Sequence, residues 1–171
     1  MPVAVRDANA IDIEIEPGRA AHVNQPDRIR ACPWPDQPER VARLEAEMAL
    51  AATAPPLLLP GDAVEVMPDA FAHVPADALP VVTTTWALSR FPLESRLRFL
   101  HRLDQVAAGR AVAWVSAEGV GVAPTIPTLG DRRASGHSII GLAVFDRSAL
   151  RAEAIGRCWS QGRFLAWLAD S

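Results

Sequence analysis

Residues 81–115 read VVTTTWALSRFPLESRLRFLHRLDQVAAGRAVAWV and carry the strand–helix–strand pattern on which the expected fold depends. The β-branched run from Val81 to Trp86 predicts a buried strand, and the apolar run from Ala111 to Val115 predicts another. Between them, Pro92 is typical of a helix start and Gly109 of a helix end. This order predicts a right-handed crossover with parallel pairing of the two strands.

The helix between these strands is expected to be amphipathic. One stripe should face the core and another the solvent, as helical spacing requires. The predicted inward residues are Leu93, Leu97, Leu100 and Leu103, and the predicted outward residues are Glu94, Arg98 and Arg102.

The upstream part of the chain continues the alternation of strands and helices. Ala10 to Glu16 alternates isoleucine with acidic residues, which predicts a strand with one solvated face. Uninterrupted Leu57 to Leu59 suits a buried parallel strand. The helices expected here are one that starts at Asp36-Gln37-Pro38-Glu39 and runs to about Ala52, and one with Val64, Met67, Phe71 and Val74 on one face.

Downstream, the pattern changes from parallel to antiparallel. Val120 to His137 is rich in Gly, Pro and Thr, and is expected to be a loop that covers a site or moves. Three strands at Ile139 to Phe145, Ala152 to Cys158 and Arg163 to Leu168 are joined by connections too short for anything but antiparallel pairing. The sequence therefore predicts one three-layer α/β domain over residues 1–171, with a mostly parallel sheet that ends in an antiparallel meander.

The composition excludes several kinds of function. A net charge of -3 gives no positive field to attract nucleic acid. All 17 basic residues are Arg, and the chain has no Lys and no Tyr, which excludes Schiff-base chemistry, a phosphate-loop lysine and a tyrosine acid. The four histidines show no metal-ligand spacing with Cys32 or Cys158, so no metal is expected. With no signal peptide, no membrane span and two free thiols expected, a cytoplasmic protein is predicted.

Four segments resemble the uncharacterised domain-of-unknown-function family 2332: Trp34-Pro35-Asp36-Gln37-Pro38-Glu39-Arg40, Gly61-Asp62-Ala63, Val115-Ser116-Ala117-Glu118-Gly119, and Gln161 to Leu168. The resemblance runs from about Ala10 to the C-terminus. It implies an S-adenosylmethionine methyltransferase-like Rossmann sheet, represented by its C-terminal portion only.

The chain departs from the family pattern in three places. The first strand and its Gly-rich turn are expected to be missing, which would leave a gap between Ala10 to Glu16 and Val81 to Trp86. Glu14 stands where the family tends to carry Asn, and Gln161 stands where it tends to carry His. A catalytic histidine at that last place would therefore not carry over.

The cofactor-binding candidates follow from this fold. Asp12 and Glu14 lie where such sheets place a carboxylate on the ribose hydroxyls, although a solvated strand face is the alternative. Asp62 is expected either to accept from an adenine amino group or to cap the helix after it. Ala63 and Thr84 complete the expected S-adenosylmethionine-binding set.

Glu118, at the carboxyl end of a predicted buried strand, is the catalytic candidate. Open α/β sheets place ligands at this edge, where an acid can orient a substrate or act as a general base. A turn carboxylate bonded to local N–H groups is the alternative. The five tryptophans are expected to lie mainly in the core, with pocket wall as the alternative.

Two functions from different classes remain open at this point. The first is a methyltransferase-like domain that binds S-adenosylmethionine and acts on a small molecule. Without a Gly-rich turn for the methionine end, its binding is expected to be weak or absent. The second is a degenerate or truncated, non-catalytic domain, an interaction module or homodimer whose exposed sheet edge is completed by a partner.

Overall fold

The computed structural model describes residues 11–15, 38–53, 57–147, 149–159 and 164–168. The chain divides into two compact units, Met1–Val66 and Met67–Ser171. The described elements of the first unit are β1 (Ile11–Ile15), α1 (Pro38–Thr53) and β2 (Leu57–Gly61). Those of the second are α2 (Met67–Ala72), β3 (Val81–Thr85), α3 (Leu93–Val106), β4 (Val112–Gly119), β5 (His137–Asp146), β6 (Ala149–Trp159) and β7 (Leu165–Trp167), with 3-10 turns at Leu88–Arg90 and Arg133–Ser135. The chain is therefore an α/β protein.

In the first unit, β1 and β2 form a parallel pair. Ile11 lies opposite Leu57, and Ile15 lies opposite Gly61 at the carboxyl ends. Both strands and the helix between them were expected, and the structure confirms all three elements. The capping residue predicted at Asp36 lies outside the described residues.

The second unit contains a five-stranded mixed sheet in the order β3-β4-β5-β6-β7. Only β3 and β4 run parallel, and every later pair is antiparallel. The antiparallel meander is thus confirmed. The described strands lie in two sheets rather than in one mostly parallel sheet. In the second sheet, the connections from β5 to β6 and from β6 to β7 are too short for parallel neighbours, and β4 also pairs with β5 in the antiparallel direction.

The core of the second unit lies on the face of the sheet that α3 covers. Phe99 packs edge-on against Trp114, with ring centroids 5.5 Å apart, and both side chains are buried. Leu103 is fully buried beside them. Burying two aromatic rings and a leucine contributes a large share of the hydrophobic stabilisation of this unit.

The buried stripe of α3 differs from the predicted one. Leu93 and Leu97 are 66% and 51% exposed, whereas Phe99 and Leu103 are buried. A helix with many leucines fits more than one stripe at 3.6 residues per turn, and the ring contact of Phe99 selects this one. Arg96 shares the inner side because its Nε donates to the carbonyl oxygens of Leu88 and Phe91, each at 2.9 Å.

The segment from Val120 to Gly136 follows β4 and is irregular, apart from the short turn at Arg133–Ser135, as its composition predicted. Ile126 is buried against Gly141 of β5, where an added Cβ would lie 2.6 to 2.7 Å from the isoleucine side chain. Val120 and Ala123 are buried as well. Three apolar anchors hold this segment against the rest of its unit.

No helix among the described residues combines the length and the apolar composition that a membrane crossing requires.

Candidate functional site

Glu118 lies near the end of β4, at the edge of the sheet where the parallel pair β3–β4 terminates. Its side chain is almost fully buried. The backbone N–H groups of Ala87 and Leu88 both donate to its Oε1, each at 3.1 Å. These donors come from a turn about thirty residues earlier in the chain, not from the local turn that sequence reasoning offered as the alternative. In this geometry the carboxylate holds the turn after β3 in place.

The environment of Glu118 opposes its ionisation. Burial raises the pKa of the Glu118 carboxyl above its ordinary value, while hydrogen bonds from the Leu88, Ala87 and Ser89 backbone and from the Thr84 hydroxyl work in the opposite direction. Its Oε2 and the buried Ser116 Oγ, two residues along the same face of β4, find no hydrogen-bond partner among the described residues. The site therefore holds an acid whose second oxygen is enclosed in the protein.

Trp86 follows β3 at the same edge and has an unusual backbone. Its φ is 54°, in the left-handed region that bulky residues rarely adopt. Its N–H donates to the Ala117 carbonyl oxygen at 3.1 Å, and its carbonyl accepts from Ser89 Oγ at 2.8 Å. The indole is 42% exposed. The prediction that tryptophans lie mainly in the core is wrong here, and also at Trp159 and Trp167, whereas it holds at Trp114.

A charged cluster that sequence reasoning missed lies at the start of β5. Asp131 Oδ2 is 2.9 Å from His137 Nε2 and accepts from Arg157 Nε at 2.6 Å. The Arg157 guanidinium, and then His137, hold the pKa of the Asp131 carboxyl below its ordinary value. The His137 ring lies tilted against Trp159, with centroids 5.4 Å apart.

The pairing of the strands places this cluster at the same edge as Glu118. Ser138 lies opposite Gly119, so the start of β5 adjoins the end of β4. In the sequence, the cluster joins a loop residue to residues of two strands that lie 6 and 26 positions further along the chain. No short motif connects them. The only local signal was a lone aspartate in a Gly- and Pro-rich stretch, which gave no reason to expect a partner.

Comparison with known proteins identifies the family. A family model described as an uncharacterised protein conserved in bacteria, DUF2332, matches residues 2–167. The chain belongs to the DUF2332 family. It matches no curated protein and no solved structure. The predicted resemblance to this family is thereby confirmed.

In this DUF2332 member the candidate cofactor residues fall into both units. Asp12 and Glu14 lie on β1, where Glu14 is opposite Pro60 of β2. Their side chains lie outside the described ones. Asp62 follows β2 at once, and its Oδ1 accepts from the N–H groups of Val64 at 2.9 Å and Glu65 at 3.4 Å. These bonds close a turn over residues 62–65, whereas the helix that Asp62 was expected to cap begins at Met67.

The remaining two candidates of the DUF2332 chain are buried. Ala63 is 5% exposed, and Thr84 is 7% exposed. Thr84 accepts from the Trp114 indole N–H at 3.1 Å and lies opposite Ser116 on β4. The structure thus brings Thr84 and Glu118 together within the second unit.

Among the described residues of this DUF2332 protein, no group of three or more His, Cys, Asp or Glu side chains is placed to hold a metal ion. Cys158 is a free thiol, and Cys32 lies outside the described residues.

Proposed function

We propose that this chain is a methyltransferase-like domain of the Rossmann type that binds S-adenosylmethionine and acts on a small molecule. The observation that carries the proposal is the parallel pair β1–β2. Its register sets Glu14 beside Pro60 and Ile15 beside Gly61, so an acidic strand end and the turn at Asp62 emerge at one edge. Ligands of open α/β sheets bind at carboxyl edges of this kind.

The hydrogen-bond acceptors at this edge fit part of the cofactor. Ribose hydroxyls are donors that a carboxylate accepts in pairs, and Asp12 and Glu14 supply carboxylates on β1. Asp62 has one oxygen engaged in its turn, so only the other is available to an amino group. The bound cofactor would supply an activated methyl group, and these residues would orient its nucleoside end.

The edge formed by β3 and β4 supports binding of the small molecule. Here Glu118 is a buried acid bonded to the turn after β3, and Trp86 at the start of that turn is 42% exposed. We assign Glu118 a positioning role at this edge, because its Oε1 already holds the turn that carries Trp86.

Calorimetric titration with S-adenosylhomocysteine tests the cofactor part of the proposal. We expect saturable but weak binding, because the sequence offers no Gly-rich turn for the methionine end. Glu14→Gln should weaken it about tenfold or more, because a hydrogen bond to a charged group contributes about 1.5–3 kcal/mol. Glu45→Gln, an exposed carboxylate on α1, is the matched control and should bind as the wild type does. No heat and no thermal shift at millimolar ligand would reject S-adenosylmethionine binding.

A second function, assembly through a sheet edge, is favoured by β3. Among the described strands, β3 pairs on one side only, with β4. Val81 is 55% exposed, and the strand Val81–Thr85 contains no charged residue. Natural edge strands usually carry charge or proline that prevents pairing with another chain. We propose a second copy of this chain as the partner at this edge.

Size-exclusion chromatography with light scattering tests this second function. A dimer in the wild type that becomes a monomer in Val81→Lys supports it, because the charge opposes strand addition. Leu79→Lys is the matched control, since Leu79 is similarly exposed, at 57%, but precedes the strand. A wild type that is monomeric at high micromolar concentration would reject assembly at this edge.

A further inference from the structure

We infer that Trp86 is the stacking surface of a small-molecule site at the carboxyl ends of β3 and β4, and that it takes a flat aromatic ring or an organic cation. This inference rests on one part of the proposed function, the binding of a small molecule at this edge, and names the chemical class of that molecule. The combination of an exposed indole, a left-handed backbone and a hydrogen-bonded turn carries it.

The backbone of Trp86 is the first observation. A φ of 54° is disfavoured for a bulky side chain, and such residues persist only where the surrounding structure over-determines them. Here the conformation leaves a large apolar side chain 42% exposed. Residues in this condition concentrate at ligand sites and active sites.

The hydrogen bonds around Trp86 show how the conformation is held. Trp86 is bonded on both sides, by its own N–H to Ala117 and by Ser89 Oγ to its carbonyl. The next two N–H groups bond to Glu118, and Arg96 Nε donates to the Leu88 carbonyl oxygen one step further on. The backbone of the turn is therefore held by hydrogen bonds at Trp86 and at the two residues after it.

Two of the other described tryptophans contact other side chains. Trp114 is buried and donates its N–H to Thr84, and Trp159 packs against the rings of His137 and Phe164. Trp86, like Trp167, has no aromatic ring against it among the described residues, and it is 42% exposed. The exposed part of the Trp86 indole is the surface that we assign to the ligand.

The chemistry of the indole sets the class of ligand. Its π face carries negative charge density, so it attracts flat rings by offset stacking and cations by the cation–π interaction. The exposed indole therefore suits either a flat ring or an organic cation.

Indole N–H signals in ¹⁵N-labelled protein provide the test. Trp86→Phe identifies the Trp86 signal, and the chain is then titrated with adenosine as a flat ring and with tetramethylammonium as a cation. We expect one of these probes to shift the Trp86 signal saturably. The signals of Trp159 and Trp167, which are similarly exposed, serve as internal controls and should stay in place. Equal shifts of all exposed indoles, or no shift with either probe, would overturn the inference.

Trp86→Asn provides a second variant that removes the ring without adding backbone strain, because Asn tolerates the left-handed region. We expect it to keep the thermal midpoint within a few degrees and to weaken probe binding by about tenfold or more. Affinity for S-adenosylhomocysteine separates the two proposals. Equal affinity of the probe for the wild type and for Trp86→Asn would refute stacking, and S-adenosylhomocysteine binding in both proteins would leave the proposed function standing. Probe binding at Trp86 in a protein that does not bind S-adenosylhomocysteine would support stacking and reject the cofactor part of the proposed function.

Discussion

Replacing Glu118 by alanine should destabilise the second unit far more than replacing it by glutamine. In Glu118→Ala the buried Leu88 N–H loses its acceptor, which costs about 1–3 kcal/mol, and the partly buried Ala87 N–H adds a smaller amount. The empty side-chain volume adds a further term. Removing the carboxylate also removes the cost of burying it, which offsets part of this loss. We therefore expect the free energy of unfolding to fall by about 2–4 kcal/mol.

Glu118→Gln keeps the oxygen that both N–H groups use and replaces the oxygen without a partner by an amide donor. We therefore expect a change within about 1 kcal/mol. Because burial raises the pKa of Glu118, ionising it costs more in the folded state than in the unfolded state. The wild type should therefore lose stability relative to Glu118→Gln as the pH rises from the ordinary carboxyl pKa to the raised one, and the difference should then stay constant.

Thermal and urea unfolding followed by circular dichroism measure these effects. For a chain of this size, the loss expected for Glu118→Ala corresponds to a midpoint about 5–15 °C lower. Glu153→Ala, at an exposed position on β6, controls for removal of a carboxylate. If Glu118→Ala and Glu118→Gln unfold within about 0.5 kcal/mol of each other, the turn after β3 does not depend on this carboxylate, and the positioning role is wrong.

Three further predictions concern packing and charge in the second unit. Gly141→Ala should destabilise by about 1–3 kcal/mol, because the new methyl group collides with the side chain packed on it, whereas Gly109→Ala has open space and should be neutral in the same urea titration. Thr84→Val should cost about 1–3 kcal/mol by leaving a buried indole N–H without an acceptor, and Thr84→Ser should restore most of the loss. Asp131→Asn should lower the melting temperature at neutral pH. The pKa of Asp131 is lower in the folded state than its ordinary value, so its ionised carboxylate stabilises the fold at pH above the ordinary carboxyl pKa. The difference in melting temperature between the wild type and Asp131→Asn should therefore shrink as the pH falls through the lowered pKa. A difference in melting temperature that is constant with pH would contradict the pairing with Arg157.

Most element positions could be predicted from the sequence because they depend on local signals. Period-two alternation gave β1, and Pro92 and Gly109 bracketed α3. The end of β4 was placed too early, since Ser116 to Glu118 is polar and turn-like in sequence. It continues as a strand because β5 pairs with it through to Gly119. A polar residue stays in a strand when long-range pairing and burial stabilise it there.

Which strands pair, and which residues meet, could not be predicted in the same way. An apolar run such as Leu57 to Leu59 indicates a strand but not its neighbour, so the division into two sheets could not be predicted. Glu118 was identified from its place at a strand end, yet its donors lie 30 and 31 residues away. The Asp131–His137–Arg157 cluster likewise exists only once the chain has folded.

The packing of Ile126 on Gly141 limits the motion of the segment between β4 and β5. A segment of this length without regular structure is ordinarily a candidate for a mobile loop. Here the isoleucine fills the space that a side chain would take at Gly141, and Asp131 binds Arg157 of β6. Amide exchange should therefore be slower at Ile126 and Asp131 than at the exposed residues 128–130 between them.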